Sequence, residues 1–213
     1  MNNVHLQDQT FRGMGCAARA IGVLCNAYRP TLPVDPLAPQ NRFLQLSAAF
    51  SAQDYAFRRA GLPGQAAWYC ICDTAYLSAG DYLVEVETDR VWFIGELQPL
   101  LPVVCVLTNR TVSISRPASY NVAGLSSYGG GTAPTPVVSA YPVSLLHGGE
   151  LRGPSMLPSE PRLSGAIMLF PPTANVTLYR GDMITDDLGR SFIVGQAEEN
   201  SLGWRLELKQ GAV

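Results

Sequence analysis

Leu77-Ser-Ala-Gly-Asp-Tyr-Leu83, followed by Arg90-Val-Trp-Phe-Ile-Gly95, returns later in the chain as Leu178-Tyr-Arg-Gly-Asp-Met-Ile184 and Arg190-Ser-Phe-Ile-Val-Gly195. Each copy reads as a strand entered through Gly-Asp, a polar turn, and a short apolar strand closed by glycine. The arginine and the closing glycine are five apart in both copies, while the polar turn differs by one residue. A turn absorbs such an insertion; a strand does not, because a one-residue slip inverts every side chain. The repeat therefore predicts two equivalent β-hairpins, one in each of two β modules.

Outward from the first copy, turn-bounded strands are expected at 67–72, 82–87, 91–95, 103–108 and 111–115. Around the second copy they are expected at 165–170, 175–179, 182–185, 191–195 and 203–209, with Arg205-Leu-Glu-Leu-Lys209 alternating as a half-solvated strand. From Pro117 to Pro161 the chain carries three charged residues in 45, seven prolines and the run Gly129-Gly-Gly131. Its Val137, Val138, Tyr141, Val143, Leu145 and Leu146 can pack as strand. The expected fold is mainly β: two small antiparallel β-barrel or sandwich modules with an N-terminal helix and an extended Pro-rich arm. A single larger sandwich is the alternative. The boundaries read as 1–65 for helix and arm, 66–117 for the first module, 118–162 for the connecting segment and 163–213 for the second module.

At the N-terminus, residues 11–27 place Met14, Ala17, Ala18, Ile21, Leu24 and Cys25 at helical spacing. Three glycines weaken that helix by about 1 kcal/mol each against alanine, and close packing on another backbone would account for them. Prolines from Tyr28 to Pro39 remove donors and make that stretch an extended strap. A strand at 43–50, or less favourably a helix, follows, and then irregular chain.

The composition narrows the function. Only 15% of residues are charged, against a usual quarter, and a large neutral surface generally faces partners. The net charge of −2 gives no electrostatic footprint for nucleic acid, and positive charge is almost all arginine, which suits planar ion pairs and interfaces or equally reflects a GC-rich genome. There is no run of eighteen apolar residues to cross a membrane, and no basic-then-apolar start of a signal peptide; a cytoplasmic origin is expected.

The tempting motifs are few. Five cysteines, Cys16, Cys25, Cys70, Cys72 and Cys105, are odd in number and irregular in spacing; buried reduced thiols are expected, with cross-linking after exposure to oxygen as the alternative. The two histidines, His5 and His147, accompany no Gly-x-Ser-x-Gly elbow, phosphate-cradling loop or paired metal motif. Neither a metal nor another cofactor is expected. Glu85, Glu87 and Asp89 are two apart, so a strand would put them on one face, where paired carboxylates serve a hydrolase or calcium; a solvated face is the plainer reading. Asp186 and Asp187 occupy the matching turn, which favours turn chemistry. Arg180-Gly-Asp182 spells an integrin tripeptide, yet Gly80-Asp81 sits at the matching place without arginine, so the arginine is incidental. Sequons at Asn109 and Asn175 follow no secretion signal.

The stretch Gly80-Asp-Tyr-Leu through Arg90-Val-Trp-Phe-Ile-Gly95 to Leu97-Gln-Pro-Leu-Leu-Pro-Val-Val-Cys-Val-Leu-Thr-Asn-Arg110 resembles virion structural proteins of tailed bacteriophages, from the neck between capsid and tail. Arg180 to Gly195 is similar to the small barrels of head-completion and stopper proteins. The resemblance covers about half of the chain at the level of pattern. Those proteins are usually single small barrels, which leaves the neck layer (collar, connector, stopper or tail completion) open.

The resemblance implies a virion component assembled in the host bacterial cytoplasm, a ring of six or twelve copies around the DNA channel, without catalytic residues. Portal or adaptor and tail proteins would be its neighbours, and packaged DNA would pass without sequence-specific binding or any membrane contact. Glu85, Glu87, Asp89, Asp186 and Asp187 would then line the channel and repel phosphate. A receptor- or glycan-binding module, using Trp68, Trp92 and Trp204 in a cleft, is the second reading; a hydrolase using the acidic cluster is the third.

Overall fold

A computed structural model of the chain describes residues 3–31, 33–52, 66–117, 134–147, 165–173 and 176–210. Helix α1 (Asn3–Ile21) leads into six strands: β1 (Val23–Tyr28), β2 (Arg42–Ala52), β3 (Ala67–Cys72), β4 (Tyr82–Glu85), β5 (Val91–Glu96) and β6 (Val103–Leu107). Six more follow: β7 (Arg110–Arg116), β8 (Thr135–His147), β9 (Gly165–Phe170), β10 (Met183–Asp186), β11 (Ser191–Asn200) and β12 (Gly203–Gln210). Each set closes into an antiparallel barrel, so the mainly β, two-module expectation holds and the modules are barrels, not sandwiches. Closure leaves no free sheet edge.

Read around the ring, the first barrel runs β1-β2-β3-β6-β5-β4 and the second β7-β8-β9-β12-β11-β10. The order is identical, and the registers match strand for strand except that β8 carries one more bulged residue than β2. Tyr28, Tyr82, Phe93 and Val106 form one cross-strand row in the first barrel. Ser115, Met183, Ile193 and Lys209 form the same row in the second. A bulge interrupts β5–β6 at Gly95 and β11–β12 at Gly195.

The strand alternation explains what sits where. In the first barrel Cys25, Ala27, Cys70, Cys72, Leu83, Trp92, Ile94 and Cys105 fill the lumen, with Phe50 stacked on Trp92 at 4.1 Å between ring centres. Small residues on β1 leave space for those indole and phenyl rings. The alternate residues Tyr82, Phe93 and Val106 point outward, and they join the core of the second barrel instead of meeting water. Each such side chain contributes roughly 1.5–3 kcal/mol of burial. The Tyr82 hydroxyl donates to the Pro142 carbonyl at 2.9 Å, and Asn109 holds Leu145 through both its backbone groups. The barrels are therefore stacked through one continuous core.

Some element boundaries need correction. The helix ends at Ile21, not 27: Gly22 donates to the Ala18 carbonyl at 2.8 Å and the chain turns directly into β1. A Cβ at Gly22 would lie 2.5 Å from the Ala48 carbonyl oxygen, so this glycine is the close approach between helix end and barrel. Leu24 and Cys25 belong to β1, whose inward positions are small enough to imitate a helical stripe. Residues 176–179 are irregular chain leading through a turn at Arg180–Gly181 to β10, their Val176 and Leu178 buried without strand pairing.

The module boundaries also move. β1 and β2 complete the first barrel; β7, expected in the first module, and β8, expected in the connecting segment, are the first two strands of the second. The Pro-rich stretch is an extended strap, and it lies on the molecule's own second barrel. Ser139 donates to the Pro33 carbonyl at 2.9 Å and accepts from Asp35 at 3.0 Å, beside a bulge where Ala140 has φ 57. Buried Asn41 pins the strap by donating to the carbonyls of Asp35 and Pro36.

Candidate functional site

Among the described residues, the two Gly-Asp hairpins carry the buried charge. Asp81 and Asp182 are each 1% exposed. Asp81 accepts two bonds from Arg29, from Nε at 2.8 Å and Nη2 at 2.7 Å, and a third from the Ser78 backbone at 2.8 Å. Asp182 accepts from Arg116 at 2.8 and 3.0 Å and from the Tyr179 backbone at 2.9 Å. Each arginine stands at the end of the strand preceding its barrel's second strand, and reaches one backbone carbonyl, Tyr76 for Arg29 and Thr177 for Arg116. Each also covers an aromatic ring, Phe43 at 4.6 Å and Tyr179 at 4.5 Å. The paired carboxylate raises both guanidinium pKa values; partial burial opposes the rise. These are matched clamps that fix the hairpin base, because a bidentate fork sets orientation as well as distance.

Four residues beyond each clamp sits a second buried acid. Glu85 accepts the Trp92 indole N–H at 2.8 Å and a bond from the Thr88 hydroxyl. Asp186 accepts from Arg190 through Nε at 2.7 Å and the backbone at 2.7 Å, and from the Leu188 backbone. Burial alone would push the Asp186 carboxyl up, but the Arg190 bonds and charge outweigh it and hold the group below its ordinary range.

This overturns part of the channel expectation. Glu85 and Asp186 are withdrawn into the hairpins and cannot line a channel. Glu87, Asp89 and Asp187 are exposed, with Asp89 in the turn at φ 55 and Asp187 within 3.8 Å of Arg110. The three acids of the first hairpin thus share no face, because the strand ends at Glu85. Sequence reasoning missed Asp81 and Asp182 as clamps, along with Arg29 and Arg116; their signal was the matched Gly-Asp itself, each preceded far upstream by an arginine at a strand end.

The remaining motifs resolve in the same way. Asp182 is committed to Arg116, so Arg180-Gly-Asp182 offers no free carboxylate. Asn109 is bonded into the contact between barrels, and Asn175 lies outside the described residues. Cys25, Cys70, Cys72 and Cys105 are buried free thiols and Cys16 is exposed on α1. Burial, then Glu85 and Cys72, push the Cys25 thiol up to about 12, and the Cys72 thiol is raised by its bond with Cys70 and by burial. His5 is on α1 beside Gln9; the His147 side chain lies outside the described residues. Trp92 and Trp204 are buried and Trp68 is half-buried against the lumen, so the glycan reading loses its aromatic cleft.

Among the described residues no group of three or more histidine, cysteine or acidic side chains is placed to hold a metal ion, and no helix is long and apolar enough to cross a membrane. An open groove of about 270 Å³ follows the junction of the barrels, bordered by Arg29, Ser78, Asp81, Pro172 and Thr173; its charged groups are those of the clamp. No family model, curated protein or solved structure matches the chain.

Proposed function

We propose that this protein is a structural subunit of a tailed-bacteriophage virion, a ring-forming component of the connection between head and tail. The observation that carries the reading is where buried charge is spent. Asp81, Asp182, Glu85 and Asp186 hold arginines, an indole and backbone of the barrel walls, so the chain's polar machinery stiffens architecture. Low overall charge and exposed apolar residues on both barrels support assembly with other subunits, as obligate interfaces are large and apolar.

In this reading the stacked barrels form the wall, the strap fixes their angle, and neighbouring portal, adaptor or tail proteins bind the ring's ends. Glu87, Asp89 and Asp187 at the hairpin tips are the acids that would repel passing phosphate. An antibody to this chain, applied to purified virions, tests the assignment. Labelling at one axial position between head and tail is expected; virions without the protein, or label spread over the capsid or fibres, would defeat it.

A further inference from the structure

The duplication leaves one docking face used and its twin open. In the first barrel, the outward row Tyr28, Tyr82, Phe93 and Val106 is covered by the second barrel. Two glycines border that row and let the backbones meet. A Cβ at Gly80 would sit 2.2 Å from the Pro172 carbonyl oxygen, and one at Gly95 would sit 3.1 Å from that of Leu202. In the second barrel the same row is Ser115, Met183, Ile193 and Lys209, and the same glycines are Gly181 and Gly195. Here Met183 is 41% and Ile193 44% exposed, and Tyr179 beside them is exposed too.

Gly195 is the telling residue. It sits at a β-bulge but has no left-handed backbone to demand glycine, and the atoms nearest a Cβ there belong to Glu207 and Lys209 of its own barrel, at 3.4 Å. Gly95, its counterpart, is needed for close approach by another barrel. The second barrel thus keeps the row's half-exposed apolar centre and its missing Cβ, over which the side chain of Lys209 lies. Ser115 and Lys209 at its flanks replace Tyr28 and Val106, as suits a face exposed before assembly.

The receiving side has a twin as well. The first barrel docks at Pro142 on β8, at Pro172 after β9 and at Leu202 between β11 and β12. By register, the equivalents of the first two on the first barrel are Ser47 on β2 and Asp73–Thr74 after β3, and the β5–β6 connection with exposed Leu100 and Leu101 stands in the place of the β11–β12 turn. Helix α1 lies along β2 and β3 and narrows this side to an open groove of about 300 Å³, bordered by Gly15, Arg19, Leu46, Ser47, Asp73 and Tyr76. Among the described residues, the chain therefore presents one open donor face and one receiving groove, whose Asp73 side packs against Gly15 of α1.

We infer that the Met183–Ile193–Lys209 face of the second barrel docks into the groove beside α1 on the first barrel of a second copy of this chain. The contact is heterologous: it repeats the internal barrel-on-barrel joint between molecules, and such a contact closes into a ring or continues as a filament. It rests on the reading of the protein as a self-assembling subunit and names the surfaces that assemble.

The chain has a single lysine, Lys209, and one exposed cysteine among the described residues, Cys16, which lies on α1 next to the groove. An amine-to-thiol cross-linker on the full chain, read by peptide mass spectrometry after mixing isotopically light and heavy protein, should give Lys209–Cys16 links between copies. Met183→Asp with Ile193→Asp changes two exposed positions and should raise the association constant's dissociation counterpart, the Kd between copies, by roughly a hundredfold while leaving the unfolding midpoint near wild type. Wild type and variant assembling equally, or links confined within one molecule, would overturn this interface and leave the structural reading standing. A wild type that stays monomeric at all concentrations would overturn both.

Discussion

Gly80→Ala and Gly181→Ala are the same substitution at twin positions, and the structure assigns them different costs. Both glycines have backbone in the left-handed half of the map, φ 90 and φ 94, so alanine costs each roughly 1–2 kcal/mol in strain. At Gly181 nothing lies within 4 Å of the added carbon, and strain is the whole cost. At Gly80 the carbon falls 2.2 Å from the Pro172 carbonyl oxygen, about 1 Å inside contact, and overpacking adds roughly 1–3 kcal/mol. That oxygen belongs to the opposite barrel, so relief means moving the barrels apart at Tyr82–Pro142 and Gly95–Leu202. Urea unfolding of both variants should show Gly80→Ala the less stable by at least about 1 kcal/mol at an unchanged m value. Equal destabilisation, or a larger loss at Gly181, would refute the stacking geometry.

Other consequences follow from the clamps and the lumen. Arg116→Ala leaves a buried carboxylate with one backbone donor and should cost about 3 kcal/mol, at the low end for a broken buried pair because Arg116 is itself part-exposed. Asp182→Asn keeps an acceptor and should cost about 1 kcal/mol; a reversed order in denaturant melts would contradict the clamp. A bulky maleimide should label Cys16 in the native protein and the four lumen cysteines only after unfolding, with two fast native thiols as the contrary result. Burial at Cys25, and thiol hydrogen bonds followed by burial at Cys70 and Cys72, raise the folded pKa of these groups above the ordinary value near 9. Stability is then intact below pH 9 and falls as pH rises, because the unfolded chain loses those protons first, by about 1.4 kcal/mol per pH unit for each thiol; a flat pH 9–10.5 profile in urea melts would contradict this.

The hairpins were legible because their signal is local. A glycine at positive φ, a buried aspartate and a closing glycine must fall at fixed spacing for the turn to form at all. The strands 67–72 and 165–170 were legible by their bounded apolar runs. The first strand was not, since Val23–Tyr28 follows the helix after one glycine and its inward Cys25 and Ala27 are as small as the helix's own Ala17 and Ala18. Module membership was hidden for another reason: β7 adjoins β6 in sequence but pairs with β8 and β10, and only barrel closure decides that. The acids Glu85, Glu87 and Asp89 read as one face on an assumed strand. The strand ends at Glu85, whose carboxylate turns inward to Trp92. The clamps depend on Arg29 and Arg116 meeting acids 52 and 66 residues away, a distance that no local pattern encodes.

The mass of the purified particle in solution, measured from low to high micromolar concentration, tests the central claim most directly. The account predicts a discrete ring of six or twelve copies that the Met183→Asp, Ile193→Asp variant does not form. A monomer at every concentration would contradict it.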